Sequence, residues 1–113
     1  MAMFFALAVM LSGNVAEAGA YIQWEFTSVT VEPGRCIVSG YFYNDGDDEA
    51  RVKEFYLVGN IAGIRVRTTI PMNTGYISPG DIKHWTFRIS DDDFTNYDNE
   101  PYWNLHAEVA FRN

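Results

Sequence analysis

From Tyr21 onward, apolar and polar positions alternate along most of this chain with the period of two that lines one face of a β-strand. Lys83 to Ile89 (KHWTFRI) sets Trp85, Phe87 and Ile89 on one face and His84, Thr86 and Arg88 on the other. Tyr102 to Arg112 aligns Trp103, Leu105, Ala107, Val109 and Phe111 against Asn104, His106, Glu108 and Ala110. In Ile64 to Ile70 the inward set is Ile64, Val66 and Ile70, the outward set is Arg65, Arg67 and Thr69, and Pro71 ends the run. Tyr21 to Glu32 starts with Ile22, Trp24 and Phe26 in one phase and then slips to Val29 and Val31. Such a slip predicts a β-bulge or a strand that changes sheets. Cys36 to Tyr43 is apolar or aromatic on both faces, with Cys36, Val38 and Phe42 opposed to Ile37, Tyr41 and Tyr43, and predicts a central strand.

The connections follow from turn chemistry. Glu32-Pro33-Gly34 and Ser78-Pro79-Gly80-Asp81 are turn sequences. Apolar runs flank Asn44-Asp45-Gly46 and its acidic continuation, so the stretch from Arg35 to Asn60 reads as a hairpin closed by a tight polar turn. Its second strand, Ala50 to Val58, opposes Phe55 and Leu57 to Tyr56 and Val58, and Gly59-Asn60 and Ala62-Gly63 are expected to break the chain. With SDDDFTNYDNEP as the longest polar loop, the pattern predicts an all-β fold: an antiparallel immunoglobulin-like β-sandwich of six to seven strands. Either Trp85 or Trp103 is expected to anchor its core.

Composition then bounds the picture. The chain's 113 residues hold one domain, and its three Trp, seven Tyr and eight Phe suit pleated, half-buried surfaces. Residues 1–18 have the shape of a secretory signal: Met1 to Leu11 is an unbroken apolar run, and Ala16-Glu17-Ala18 offers an A-x-A cleavage site. That run is too short for a bilayer, which takes about 20 residues. No Lys or Arg precedes it, and the other reading is a buried N-terminal helix or strand of the domain. The expected domain is residues 19–113, secreted or periplasmic and without an integral membrane anchor. A net charge of −7 argues against nucleic acid as a partner, because phosphate binding needs a clustered basic surface. Cys36 is alone and closes no internal disulfide, so it reads as a small buried hydrophobe.

VSGYFYNDGDDEARVKEFYLVGN, followed after a gap by YISPGDIKHWTFRI, resembles the small extracytoplasmic β-sandwich modules known as FxLYD domains and the SLAP domains of bacterial cell-envelope proteins. The shared pattern is a Gly-aromatic-x-Asn strand end (Gly40 to Asn44), an F-x-L strand (Phe55-Tyr56-Leu57), an I-x-P-G turn (Ile77 to Gly80) and a following aromatic strand (Trp85-Thr86-Phe87). Val58-Gly59 stands where the first family has Tyr-Asp. The resemblance implies an envelope or secreted accessory domain and carries over no catalytic site.

Two constellations are candidates for chemistry. The acidic loop after Ser90 offers oxygen donors at Asp91, Asp93, Thr95 and Asp98, the ligand type of a hard ion such as Ca²⁺. Counted from Asp91, the sixth place holds Asn96 and not Gly, and the twelfth holds Tyr102 and not Glu, so the loop is not an EF-hand; otherwise it is a solvated loop. Tyr41, Tyr43 and Tyr56, extended by Tyr97, are candidates for a stacking platform that meets sugar rings or a protein partner, or else are a plain aromatic cover. Arg51, Lys53, Arg65 and Arg67 form the one basic grouping. No nucleophile elbow, phosphate loop, H-E-x-x-H or C-x-x-C motif occurs, so a non-enzymatic interaction or structural module of the bacterial envelope is expected, with no obligatory cofactor. The alternatives are an acidic inhibitor of a cationic secreted enzyme, such as a lysozyme inhibitor, and a calcium- or carbohydrate-binding β-sandwich.

Overall fold

The computed structural model describes residues 19–96 and 101–112. Six strands run in order: β1 (Ile22–Glu32), β2 (Arg35–Asn44), β3 (Arg51–Ile61), β4 (Ile64–Pro71), β5 (Ile82–Ser90) and β6 (Trp103–Arg112). They form two antiparallel sheets of three strands, β1-β2-β5 and β4-β3-β6, and no helix occurs among the described residues. The fold is all-β and sandwich-like.

The alternation read from the sequence sets which face of each strand is buried. In β2 every second residue is buried, Cys36, Val38, Gly40, Phe42 and Asn44. In β1 the slip of phase is a bulge at Thr27, where the pairing with β2 skips from Phe26 to Ser28 and brings Val29 and Val31 inward. A second irregularity lies at Lys53, between Val52 and Glu54 in the pairing of β3 with β6. It lets Val52 and Phe55 both be buried although they are three positions apart, an odd spacing that regular alternation would put on opposite faces.

Five aromatic rings join the sheets. Trp24 lies 4.7 Å from Phe42, 4.9 Å from Phe55, 5.5 Å from Phe87 and 5.8 Å from Phe26, ring centre to ring centre. Phe55, from the opposite sheet, stacks on Phe87 at 4.3 Å with the planes 10° apart. All three indoles are half-buried against the core, but Trp24 meets four of these rings, including Phe55 of the opposite sheet, and so takes the anchoring place expected of Trp85 or Trp103. Space explains the difference. Trp24 lies against Gly40 of β2, where a β-carbon would come within 2.5 Å of Cζ2 of the indole and 2.1 Å of the Glu25 carbonyl oxygen. A glycine beneath it is what admits so large a ring on an outer strand.

Two turns differ from their sequence reading. Asn44-Asp45-Gly46 does not close a hairpin: β2 and β3 belong to different sheets, and residues 45–50 carry the chain from one to the other. Asn44 has the composition of a turn, yet its side chain is buried and satisfies partners distant in sequence. Its Nδ2 donates to the carbonyls of Asp48 (2.7 Å) and Ile77 (2.9 Å), and its Oδ1 accepts from the amides of Gly46 (2.9 Å) and Tyr21 (3.3 Å). Gly59-Asn60 does not break β3 either. The strand continues to Ile61, with Gly59 at φ 148° because the Asn104 carbonyl of β6 would lie 2.1 Å from a β-carbon there. The reversal falls at Ala62-Gly63, both at positive φ, as a two-residue hairpin turn requires.

Two substitutions test this frame. Trp24→Ala is expected to lower unfolding free energy by ~3–5 kcal/mol in a urea titration, more than Trp85→Ala or Trp103→Ala. Asn44→Asp keeps the shape but turns a donor into an acceptor facing two carbonyls. Its expected cost at neutral pH is ~2–5 kcal/mol, and an unchanged denaturation midpoint would refute the role given to this amide.

Candidate functional site

The outer face of β1-β2-β5 gathers the side chains with the most binding chemistry. Pairing aligns Gln23, Tyr43 and Ile82 in one row across the three strands, and Glu25, Tyr41 and His84 in the next. Each row runs from a polar group on β1 through a tyrosine on β2 to β5. The rings of Tyr41 and Tyr43 are 6.1 Å apart and tilted by 52°, and Tyr41 meets His84 edge-on at 5.7 Å. The Tyr43 hydroxyl donates to Oε1 of Gln23, which fixes the ring. Burial raises the Tyr43 hydroxyl above its ordinary range, and the negative charges of Asp45 and Glu25 add to this, so it remains a proton donor at neutral pH. Further along the face Ser39 and Thr86 share a hydrogen bond of 3.3 Å.

Beside this face lies an open depression of about 370 Å³, lined by Tyr76, Ile77, Asp81, Ile82, Lys83 and His84. Tyr76 and Ile82 are 54% and 53% exposed, unusually wet for large apolar side chains. Rings, an aliphatic tip, two carboxylates, an amine and an amide thus share one surface.

The residues expected from the sequence are only partly brought together. Tyr41 and Tyr43 adjoin. Tyr56 lies on β3 between Thr69 and Glu108, in the other sheet, because β2 and β3 are not neighbours. Tyr97 and Asp98 lie outside the described residues. Gln23, Glu25, Ile82 and His84 carry no sequence signal of their own, and only strand register reveals them.

Asp91, Asp93 and Thr95 are exposed. Oδ1 of Asp91 accepts from the amide of Asp93 at 2.9 Å, a local turn bond. The loop is tied to the β1-β2 turn by Gly34 N to Phe94 O and Asp91 N to Gly34 O, each 3.1 Å, and Phe94 is buried. Among the described residues no group of three or more His, Cys, Asp or Glu is placed to hold a metal ion. This loop sits at the Arg35 end of β2 and the acidic segment 45–49 follows the Asn44 end, so the two acidic clusters occupy opposite ends of the molecule.

The basic grouping divides as well. Arg65 and Arg67 pair with Asn60 and Val58 at the far end of β3, whereas Arg51 and Lys53 lie at its start, where Arg51 is opposite Arg112 of β6. Arg51 also sits 5.7 Å above the Tyr76 ring.

Cys36 faces the core on β2, as a small buried hydrophobe does, and His84 and His106 point outward from the two sheets. Comparison with protein-family models, curated proteins and solved structures finds no match to the chain.

Burial raises the Cys36 thiol from its ordinary 9.0 to about 11. Because the folded value is the higher one, the stabilisation it provides is complete below pH 9 and is lost as pH rises through 11. The thiol is expected to ignore a disulfide reagent at pH 8 until denaturant is added, and Cys36→Ala is expected to flatten the loss of stability between pH 9 and 11. Rapid labelling of the native protein at pH 8 would contradict this.

Proposed function

We propose that this chain is a non-enzymatic, extracytoplasmic interaction module of the bacterial cell envelope, an immunoglobulin-like β-sandwich that recognises a protein partner through the outer face of β1-β2-β5. The observation that carries the reading is the pair of rows Gln23-Tyr43-Ile82 and Glu25-Tyr41-His84 beside an open depression. Two adjoining tyrosines, Tyr43 fixed by its bond to Gln23, ringed by groups able to hydrogen-bond, are the composition of a protein-binding hot spot.

Ring geometry favours a protein over a glycan. A sugar-stacking strip needs rings in one plane, and here Tyr41 is tilted by 52° to Tyr43 and by 64° to His84. Tilted rings leave clefts for a partner's side chains. The immunoglobulin-like assignment draws support from strand order: hairpins β1-β2 and β3-β4 lie in separate sheets, then β5 returns to the first and β6 to the second. The extracytoplasmic assignment rests on the signal-like residues 1–18 and on the motifs shared with envelope modules.

The test is affinity capture from envelope and extracellular fractions, with the captured protein then titrated against Tyr41→Ala, Tyr43→Ala and the control Tyr56→Ala. Each of the first two is expected to weaken binding roughly 30-fold, about 2 kcal/mol, while thermal melts stay close to the parent. The control is expected to bind like the parent. Equal binding by all four proteins removes this face from the reading, and binding to a glycan array with no protein captured replaces the partner class.

A further inference from the structure

We propose that two copies of this chain pair through the outer edges of their β6 strands, antiparallel about a two-fold axis at Ala107. Two three-stranded sheets leave four edges, β1, β5, β4 and β6. Unprotected edges recruit other strands, and proteins blunt them with bulges, prolines and charges. β1 is bent by the bulge at Thr27, β4 ends in Pro71 and carries Arg65 and Arg67, and β5 bears Lys83 and Arg88. β6 runs ten residues with no proline and no bulge of its own, and its charges, Glu108 and Arg112, stand on the outward face. Among the described residues, no strand pairs with its outer edge, and β1 of the other sheet packs beside it without forming a ladder. Its inward row, Leu105, Ala107, Val109 and Phe111, is only half-buried, so the core is least covered along this strand.

The backbone decides which registers are open to a second strand. The Tyr102 carbonyl accepts from the Ala62 amide at 2.7 Å, and the Asn104 carbonyl abuts Gly59, so even-numbered residues of β6 turn their backbone groups toward β3. By the alternation of an antiparallel ladder, Leu105, Ala107, Val109 and Phe111 turn theirs to the free edge. Two such edges can exchange hydrogen bonds only if odd residues oppose odd residues, which places a two-fold axis on a residue and not between two.

Centred on Ala107, the strand is its own complement. Leu105 opposes Val109, Trp103 opposes Phe111, Asn104 opposes Ala110, and His106 opposes Glu108. Within one chain His106 Nε2 already lies 3.5 Å from Glu108 Oε2, so the two pairs would form a ring of alternating groups. Centring on Glu108 opposes two carboxylates, and centring on His106 opposes two imidazoles and shortens the overlap. Because one register satisfies backbone and side chains at once, the occupant is a second copy, joined by an isologous contact.

Sedimentation velocity on the purified full chain is expected to show a dimer at micromolar concentration. Ala107→Pro removes an N–H that faces the free edge and none of the bonds to β3, and is expected to give a monomer with an unchanged circular dichroism spectrum. For register, Ala107→Cys brings two Cα atoms to ~5.5 Å across the axis, within disulfide range, and is expected to yield a covalent dimer on air oxidation. Ala110→Cys separates the same atoms by about 20 Å and is expected not to link. The native thiol, Cys36, is fully buried and does not compete. A monomer at every concentration, a dimer that survives Ala107→Pro, or linkage of Ala110→Cys as readily as Ala107→Cys would overturn the proposal. If Ala107→Pro does not fold, the two cysteine variants decide it.

Discussion

The carboxamide of Asn44 closes one end of this molecule, and three segments depend on it. Its two donors and its acceptor oxygen reach the incoming chain at Tyr21, the first crossover at Gly46 and Asp48, and the second crossover at Ile77. The backbone of the same residue adds bonds to Asp81 and from Gly80. Both crossovers join strands of different sheets, so beyond the short bridge between Ala50 and Ile77 no regular ladder spans this end, and buried peptide groups left unpaired are costly. The Asn44 amide, with its full complement of partners, ties these pieces to the incoming chain. Its backbone also sets Gly80 and Asp81 in place beside the start of β5, which positions Ile82 and His84 on the outer face of β1-β2-β5.

The second constraint is the aromatic joint. Each sheet alone is too narrow to bury both its faces, and Trp24, Phe42 and Phe87 from one sheet close on Phe55 from the other. The joint leaves the outer faces to polar and tyrosine side chains.

How much of this the sequence shows depends on the range of the interaction that decides each feature. Strand faces are local properties, and the alternation in β2, β4, β5 and β6 identifies the buried set, as does the slip at Thr27. Sheet membership is not local. Asn44-Asp45-Gly46 has hairpin chemistry whether the next strand pairs with the last or leaves for the other sheet, and the choice is made by Ile77 and Tyr21, far along the chain. Tyr56 follows that error, since only a hairpin would have brought it near Tyr41. Trp24 looks no different from Trp85 or Trp103 until Gly40 is known to lie beneath it. Glu25, Tyr41 and His84 meet through register alone, which spacing in a single sequence does not encode.

The ends of the described domain lie close together, since the Tyr21 ring stands 6.3 Å from that of Phe111 near the finish of β6. Tension applied between these ends would pull them apart at one end of the sandwich. Load would then fall first on the bond between Gly19 and Asp47, then on those of Tyr21 to Asp45 and Asn44, and next on the β1 ladder, one hydrogen bond at a time, as a zip opens, and not on many bonds sheared together. A domain built this way is a mechanical fuse: stable at rest through its core, yet weak to peeling along one axis, where the rate of unfolding sets how long it holds.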